Sequence, residues 1–337
     1  MKALVCAEPF DLRLETREPP RPAAGEVLLR MRRVGLCGTD YHIYAGKHPF
    51  LEYPRLIGHE LAGEVVEAPS GSRLAVGQVV TVNPYLPCGT CRACRRGKPN
   101  CCAAIRVLGV HVDGGLCEWL TVPEAAVVDA TGLTLDQAAM VEFLAIGAHA
   151  IRRAEVGAGD RVLVVGAGPI GVGTALFARI AGAERIVLAD TRGQRLDYAR
   201  SQFGFEETVV ADASLAETLA AMTDGEMFDE VFDATGNIHA MRKGLDYVAN
   251  GGSYVLVSVV PDDLIFADPE FHRRETTLIA SRNALAADFE RVMEAIRSGA
   301  IPTDALHTHS VDAGDLPARM GSLIAEADDV LKAIVTF

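Results

Sequence analysis

The chain has 337 residues, of which 49% are hydrophobic and 23% are charged, and its formal net charge is −13. It is long enough for two globular domains, and its negative charge argues against binding to nucleic acid. The longest uncharged apolar run, residues 162–178, is shorter than a membrane span and is interrupted by glycine and proline, so we expect no membrane association. The N-terminal segment lacks the features of a secretory signal, and cysteines without such a signal predict a reducing, cytoplasmic location.

The N-terminal part of the chain is predicted to be rich in β-strands. Roughly the first 125 residues contain short apolar runs separated by glycine and proline, a pattern typical of strands joined by turns. Representative runs are KALVCAE, EVLLRMRRVG, LAGEVVEA and GQVVTVNP. From Leu135 the pattern changes, and the stretch LDQAAMVEFLAIGAHAIRRA predicts one helix that leads into a second domain.

Strands and helices alternate after that helix. Strands are predicted within RVLVVGAG, RIVLAD, ETVVA, EVFDATG, SYVLVSVV and TLIAS, and GQRLDYARSQFG predicts a helix that ends at a glycine. The alternation predicts an α/β fold with a doubly wound parallel sheet. After Arg282 only one helix and a final strand are predicted, too few for a third domain. We therefore expect a β-rich domain formed by residues 1–143 and 283–337, and a nucleotide-binding domain formed by residues 144–282.

The segment CGTCRACRRGKPNCC indicates a structural metal site. Cys88, Cys91 and Cys94 follow a C-x2-C-x2-C spacing, and Cys101 or Cys102 supplies a fourth thiol. Thiolates clustered in this way form closed tetrahedral zinc sites. The alternative, a disulfide knot, is typical of small secreted domains and does not suit a chain of this length.

A glycine motif, Gly166-x-Gly168-x-x-Gly171, follows a predicted strand and opens a predicted helix. In a dinucleotide-binding fold these glycines allow a tight turn, a close approach to the pyrophosphate and close packing of helix on strand. The free N–H groups at the helix N-terminus, where Pro169 and Ile170 lie, would then face the phosphates. The alternative is a glycine-rich turn without a ligand.

Asp190 ends the next predicted strand, where a carboxylate accepts hydrogen bonds from the ribose hydroxyls and repels a 2′-phosphate. The alternative role for this residue is helix capping. Arg192 is a competing signal, because an arginine nearby can accommodate NADP. We expect NAD, because the residue at the ribose position is itself acidic.

Two further segments, GLCGTDYH at residues 35–42 and GHELAG at residues 58–63, contain residue types that bind metals. Together with the cysteine segment, VEFLAIGAHA and VVGAGPIGVG, all in the same order, they resemble the zinc-dependent medium-chain alcohol and polyol dehydrogenases over the whole chain. The resemblance implies a GroES-like catalytic domain joined to a Rossmann domain that binds NAD.

The resemblance also implies two zinc ions per chain. A catalytic zinc would be held by Cys37 and His59 with Glu60 beside it, and Glu142 would bind it directly or through water. Asp40 would accept a hydrogen bond from His59. The structural zinc would be held by four thiolates, those of Cys88, Cys91, Cys94 and Cys102, which leaves Cys101 spare. A glutamate at position 142 is the polyol-type choice, whereas Phe143 replaces the family's usual proline.

In such an enzyme a hydride passes from a secondary alcohol to NAD, and the zinc acts as a Lewis acid. Thr39 would pass the proton of the substrate hydroxyl to His42 and on to solvent. The family's assembly implies a homodimer or homotetramer that forms through the strand segment SYVLVSVVPDDLIFADP.

Three segments, NCCAAIRVLGVHVDGG, DATGNIHAM and FADPEFHRRETTLIASRNA, resemble the L-galactonate 5-dehydrogenase group, which oxidises a secondary hydroxyl of a sugar acid. We therefore expect a sugar acid or polyol as substrate. Candidate contacts to substrate hydroxyls are His111, Glu118 and Asn283. Candidate contacts to a substrate carboxylate are Arg282, Arg106 and Lys47.

Other functions are compatible with part of the pattern. A sorbitol-, galactitol- or threonine-type dehydrogenase would share the zinc and NAD sites. A zinc-free, NADPH-dependent quinone-type reductase is disfavoured by the cysteine segment and Asp190. A non-catalytic nucleotide-binding relative would be expected to have lost the catalytic ligands, which are all present here.

Overall fold

The computed structural model describes residues 1–48 and 51–337. The chain forms two compact units, one made of Met1–Phe143 and Leu285–Phe337 and the other of Leu144–Ala284. The sequence placed the second boundary at residue 283, and the structure has it at Leu285. Within the described ranges, no helix is both long enough and apolar enough to cross a bilayer.

Strands make up most of the first unit and the central sheet of the second. In chain order they are β1 (Lys2–Glu8), β2 (Asp11–Thr16), β3 (Glu26–Leu36), β4 (Arg55–Leu56), β5 (Glu60–Glu67), β6 (Val79–Val82), β7 (Tyr85–Leu86), β8 (Arg106–Val107), β9 (Trp119–Pro123), β10 (Val127–Asp129), β11 (Arg161–Val165), β12 (Arg185–Asp190), β13 (Thr208–Val210), β14 (Phe228–Asp233), β15 (Val248–Leu256), β16 (Thr277–Ala280), β17 (His307–Asp312) and β18 (Lys332–Thr336).

The helices lie mainly in the second half of the chain. In chain order they are α1 (Gly38–Tyr44), α2 (Arg92–Arg95), α3 (Leu135–Ala139), α4 (Val141–Ala154), α5 (Pro169–Ala181), α6 (Gly193–Phe203), α7 (Leu215–Met222), α8 (Ile238–Lys243), α9 (Asp268–Arg273), α10 (Ala286–Arg297), α11 (Thr303–Leu306) and α12 (Leu316–Ala325).

The long strand β3 organises the first unit. It lies in a sheet of order β10-β6-β5-β3-β18-β17, and β9 also pairs with β3. Alternate residues of β3, among them Val27, Leu29 and Met31, are fully buried, because one face of the strand packs into the core. Near the end of β3, Gly35 pairs with Glu60 of β5 on one side and with Ile334 of β18 on the other. Gly35 therefore lies opposite the first residue of β5 and opposite the third residue of β18.

The second unit has a parallel sheet of order β13-β12-β11-β14-β15-β16. The central strands β11 and β12 are mostly apolar, as expected for strands covered by helices on both faces, whereas β14 reads FDEVFD. Strand β11 reads RVLVV, and Val162 to Val165 are all buried. The order reverses between β11 and β14, the place where nucleotides bind in doubly wound folds. The predicted α/β fold class is confirmed.

Two features differ from the predicted elements. The single helix expected over LDQAAMVEFLAIGAHAIRRA is broken at Met140, whose N–H bonds to the carbonyl of Gln137 and closes α3 with a tight last turn. The strand β15 was expected to form the edge of the sheet, but it pairs with both β14 and β16. The edge of the sheet on this side is therefore β16.

Candidate active site

The first metal-type segment lies where β3 ends. Cys37 follows β3 and precedes α1, and the buried carboxylate of Asp40 accepts hydrogen bonds from the backbone N–H of Cys37 (3.0 Å) and of Gly58 (3.1 Å). Gly58 has a φ of 95°, which favours glycine. Asp40 thus ties the turn that carries Cys37 to the turn that carries His59.

Cys37, His59 and Glu60 form a compact group. Their ligand atoms all lie within 4.8 Å of one another, and the side chains of His59 and Glu60 are buried. The Nδ1 atom of His59 lies 3.9 Å from Oδ1 of Asp40, longer than the hydrogen bond that the sequence led us to expect. Among the described residues this buried nitrogen has no hydrogen-bond partner.

The chemistry of this group suits a zinc ion. Burial alone would lower the pKa of His59, but Asp40, Cys37 and Glu142 together raise it well above its ordinary value. The same negative surroundings favour a bound cation. A thiolate, an imidazole and a carboxylate are the donors that zinc takes in catalytic sites, where one position stays open for substrate. Cys37 and His59 would therefore hold the metal, with the carboxylate of Glu60 beside it.

Glu142 lies in the first turn of α4 and belongs to the same unit. Its side chain is buried, and Tyr85 donates a hydrogen bond to its Oε1. Burial raises the pKa of Glu142, and Glu60 adds to that shift while His59, Tyr85 and Lys332 oppose it. The carboxylate of Glu142 is not part of the compact group of three. It is held beside that group by Tyr85, a residue that the sequence did not single out.

Lys332 is a second residue that the sequence did not single out. Its Nζ donates to both carboxylate oxygens of Glu60 at 2.7 Å, and both side chains are buried. Lysine is almost never fully buried without a partner. A charged residue at the start of the apolar strand LKAIVTF was the one signal that could have identified it.

Thr39 and His42 lie on α1. The thiol of Cys37 is 3.8 Å from Oγ1 of Thr39, whereas His42 is exposed. His48 is half-buried, and burial lowers its pKa, with His111, His42 and His59 adding to the effect.

The candidate substrate contacts fall in different places. Nδ1 of His111 accepts a hydrogen bond from the N–H of Val107 (3.1 Å), so the neutral ring carries its proton on Nε2. Glu118 accepts from the backbone N–H of Lys2 (2.7 Å), a contact that fastens β1. Arg106 and Lys47 are exposed residues of the first unit. Arg282 and Asn283 lie in the second unit.

The four predicted thiols meet in one lobe. Ligand atoms of Cys88, Cys91, Cys94 and Cys102 lie within 4.8 Å of one another, and Cys101 is outside this group and exposed. Backbone N–H groups point at the sulfur atoms: that of Cys88 at Cys102 (3.2 Å) and that of Cys91 at Cys88 (3.3 Å).

The ionisation of these thiols favours a bound metal. A backbone hydrogen bond from Thr90 is the largest cause that lowers the pKa of Cys88, to about 6, whereas burial raises the pKa of Cys94 to about 12. Four thiolates this close repel one another unless a cation lies between them, and zinc is the usual cation for an all-thiolate set.

The glycine motif has the geometry that its spacing predicted. Gly166 has a φ of 103°, and a Cβ there would come within 2.9 Å of the carbonyl of Ala234. A Cβ on Gly171 would overlap the carbonyl of Gly166, which explains the third glycine. Gly168 caps the N-terminus of α5, and Pro169 and Ile170 form its first turn. The turn leaves room for a ligand's phosphates beside free N–H groups.

Asp190 both lines a cavity and braces the glycine turn. The cavity measures about 500 Å³ and is also lined by Gly166, Gly168 and Arg192. The buried carboxylate of Asp190 accepts from the N–H of Ala167 (2.7 Å) and from the N–H of Arg192 (2.9 Å). Each oxygen retains a second lone pair for a ribose hydroxyl.

These features together define a metal-dependent dehydrogenase with a Rossmann domain. The chain matches the alcohol dehydrogenase GroES-like domain family over residues 23–132 and the zinc-binding dehydrogenase family over residues 169–298. It is 40% identical over 341 residues to L-galactonate-5-dehydrogenase of Escherichia coli K12, covering 100% of this chain and 99% of the relative. The chain belongs to the zinc-dependent medium-chain alcohol dehydrogenase family, as the sequence motifs predicted.

Two other relatives bear on the function. An L-threonine 3-dehydrogenase of Saccharopolyspora erythraea is 36% identical over 268 residues, with 77% of each chain covered. A crystal structure from Escherichia coli CFT073, described as a short chain alcohol dehydrogenase (rspB) complexed with the cofactor NADH, has a TM-score of 0.94 and 29% identity. It covers 100% of this chain and 99% of that one. The GroES-like and Rossmann architecture is thereby confirmed.

Proposed function

We propose that this chain is a zinc- and NAD-dependent dehydrogenase that oxidises a secondary hydroxyl of a linear sugar acid or polyol, with L-galactonate as the first candidate. The observation that carries the proposal is the compact group of Cys37, His59 and Glu60, whose ligand atoms lie within 4.8 Å of one another. The first unit would carry this metal centre, and the second unit would carry the cofactor.

When bound, zinc would supply Lewis acidity and NAD would supply the hydride acceptor. Cys37 and His59 would bind the metal, and Glu142, oriented by Tyr85, would be a further ligand directly or through water. Thr39 takes the proton of the substrate hydroxyl at Oγ1, and the exposed His42 passes it to solvent. The secondary alcohol thus loses one proton and one hydride and becomes a ketone.

Asp190 supports NAD as the cofactor. Its carboxylate ends β12 at the cavity and offers a lone pair on each oxygen to the ribose hydroxyls, while its charge repels a 2′-phosphate. The relative of known structure that was crystallised with NADH agrees with this assignment. We propose two zinc ions per chain, one held by Cys37 and His59 with Glu60 and Glu142 beside it, and one at the four-thiol lobe.

A substrate carboxylate or hydroxyl would be bound near the metal by residues of the first unit. His111 lies in the segment GVHVDGG, in which the N–H of Gly114 donates to the carbonyl of Leu56 (2.7 Å) and the N–H of Gly115 donates to the carbonyl of Gly58 (2.9 Å). These bonds join the His111 loop to the turn that carries His59. Arg106 and Lys47 remain the candidates of the first unit for a substrate carboxylate.

A substrate panel tests the assignment. We expect kcat/KM with NAD to be highest for L-galactonate or a close aldonate or alditol, and lower by about 10^4 or more for ethanol, because buried groups that bind hydroxyls would be left unpaired. Sorbitol, galactitol and L-threonine complete the panel. The relative with threonine dehydrogenase activity in its name makes L-threonine the second candidate. Ethanol or threonine as the best substrate would contradict the sugar-acid assignment.

Metal analysis tests the zinc chemistry separately. Gentle chelation should remove one zinc per chain and abolish activity while the circular dichroism of the protein is retained, because the mixed site is open and the thiolate site is closed. Activity should return when zinc is added back. Full activity with a single zinc would contradict the proposal, and a protein without either zinc or activity would favour a non-catalytic relative.

The edge of the second unit's sheet supports a homodimer or homotetramer. Strand β16 pairs with β15 on one side, and its residue Leu278 is exposed. Large apolar side chains are also exposed nearby in the sequence, with Val259 90% and Ile265 69% exposed. Pairing of two such edges would cover both. A monomer in light scattering at micromolar concentration would contradict this.

A further inference from the structure

The metal centre contains a fully buried cation that the reaction described above does not use. The ammonium of Lys332 donates to both oxygens of Glu60 at 2.7 Å and to the carbonyl of Leu36 at 3.2 Å. It also lies over the ring of Phe143, 4.2 Å from the ring centroid. Every polar contact of this ammonium is therefore internal, and its charge is directed at one metal-ligand candidate.

The backbone is shaped to permit this contact. Glu60 and Lys332 are the first residues of the two strands that flank β3, and Gly35 of β3 pairs with Glu60 on one side and with Ile334, two residues after Lys332, on the other. A Cβ on Gly35 would overlap Oε2 of Glu60. The absence of a side chain at position 35 thus opens the space in which the carboxylate meets the ammonium.

The charges explain what the contact can do. Cys37, Glu60 and Glu142 can together place three negative charges around a site for a doubly charged ion. Burying a carboxylate without a partner is costly, and its natural partner beside a metal would be the metal itself. Lys332, which donates to both carboxylate oxygens of Glu60, supplies that partner instead and neutralises one of the three negative charges.

We propose that Lys332 is a positioning residue that holds Glu60 and neutralises it, so that the catalytic zinc keeps its Lewis acidity and an exchangeable position. The inference rests on the proposed zinc site. Without Lys332, the carboxylate of Glu60 would keep its full negative charge and would interact directly with the zinc. The metal would then be bound more tightly and would polarise a substrate hydroxyl less.

The test compares Lys332→Met with wild type. We expect zinc release to a chelator to slow by about tenfold and kcat to fall by a similar factor, because residues behind metal ligands commonly change affinity or activity by 10- to 100-fold. With Co²⁺ in the site, the ligand-field absorption bands should weaken as an additional oxygen coordinates. Lys332→Arg, which keeps the charge, should resemble wild type more closely than Lys332→Met in all three measurements.

The double variant Lys332→Met/Glu60→Gln separates charge from fold. Removing the carboxylate's charge should return zinc release towards the wild-type rate. Lys2→Met, which removes one exposed charge from the same unit, is the matched control and should change none of these readouts. If Lys332 has only a structural role, Lys332→Met will lose zinc faster than wild type and the double variant will not reverse it, which overturns the proposal.

The outcome for wild type distinguishes this inference from the proposed function. If wild-type protein binds no zinc at the Cys37 group, the proposed function fails together with the inference. If wild type binds zinc and needs it for activity while Lys332→Met releases it at the wild-type rate or faster, only the role of Lys332 is wrong.

Discussion

Lys332 and Glu60 are 272 residues apart in the sequence, yet they form a buried ion pair at 2.7 Å across the backbone of Gly35. The pair exists because β18 returns to one side of β3 while β5 lies on the other. A residue close to the C-terminus thus meets one from the N-terminal part of the chain, and the lack of a side chain at Gly35 leaves the space for their contact.

Gly35→Ala should therefore disrupt the metal centre. The new Cβ would overlap Oε2 of Glu60, so the carboxylate must leave Lys332 or the strands must separate. We expect a loss of about 1–3 kcal/mol in the free energy of unfolding, the usual range for overpacking, measured by urea denaturation. Activity should fall with it, because Glu60 and Lys332 no longer meet.

The control for this variant is Gly321→Ala. Gly321 is exposed within α12, and a Cβ there would meet no atom within 4 Å. Alanine should leave stability unchanged or raise it by about 0.5–1 kcal/mol, because glycine is unfavourable inside a helix. Equal free energies of unfolding for Gly35→Ala and wild type would show that the carboxylate of Glu60 can adopt another position without loss of stability.

Adjacent cysteines offer a matched test of the four-thiol lobe. Cys102→Ser should release one zinc per chain and lower the melting temperature, since its buried sulfur belongs to the group of four. Cys101→Ser changes the same atom one residue earlier, on an exposed side chain outside the group, and should do neither. Zinc content by atomic spectroscopy and thermal unfolding measure both. Loss of zinc from Cys101→Ser but not from Cys102→Ser would show that Cys101, rather than Cys102, is the fourth ligand.

The local pattern of residues in the sequence was sufficient to predict some of these features but not others. Strand β12 coincides with RIVLAD, and the glycine motif and cysteine spacing are visible because their residues are close in the sequence. The contacts of Lys332 with Glu60 and of Tyr85 with Glu142 depend on how elements that are distant in the sequence pack together, and no local sequence pattern predicts that packing. Strand β17 reads HTHSVD and was not predicted, because it lacks the apolar alternation that marks a strand.

A pH dependence of stability is expected from Glu230 on β14. Ser253 donates to its Oε1 at 3.2 Å, while its buried Oε2 has no hydrogen-bond partner within residues 1–48 and 51–337. Burial raises the pKa of Glu230 to about 8, with Asp160 and Asp229 adding to the shift. The native state therefore holds this proton to higher pH than the unfolded chain, whose pKa is near 4.5. This contribution to the free energy of unfolding falls as the pH rises from about 4.5 to about 8, then levels off.

Glu230→Gln should remove that decline. Urea denaturation between pH 5 and pH 9 should find the variant close to wild type at the acidic end and increasingly more stable than wild type towards pH 8 and above, since the amide carries no charge to bury. Glu217→Gln, on an exposed position of α7, is the control and should parallel wild type. A constant difference between Glu230→Gln and wild type across this range would rule out the ionisation of Glu230 as the cause.

The preference for NAD over NADP should depend on the negative charge of Asp190. The hydrogen bond that Asp190 accepts from the backbone of Ala167 allows this charge to be tested separately from the glycine turn. Asp190→Asn keeps an acceptor for the N–H of Ala167, and therefore the glycine turn, but removes the charge that repels a 2′-phosphate. We expect the preference for NAD over NADP, measured as the ratio of kcat/KM values, to narrow by about tenfold or more, equivalent to about 1.4 kcal/mol. Asp190→Ala should narrow this preference similarly but should also weaken the binding of both cofactors, because the glycine turn loses the hydrogen bond from Ala167 to Asp190.

The control is Asp212→Asn, which removes an equal charge from an exposed residue of the same cavity and should have a smaller effect on the preference. A wild-type preference for NADP would instead assign cofactor choice to Arg192.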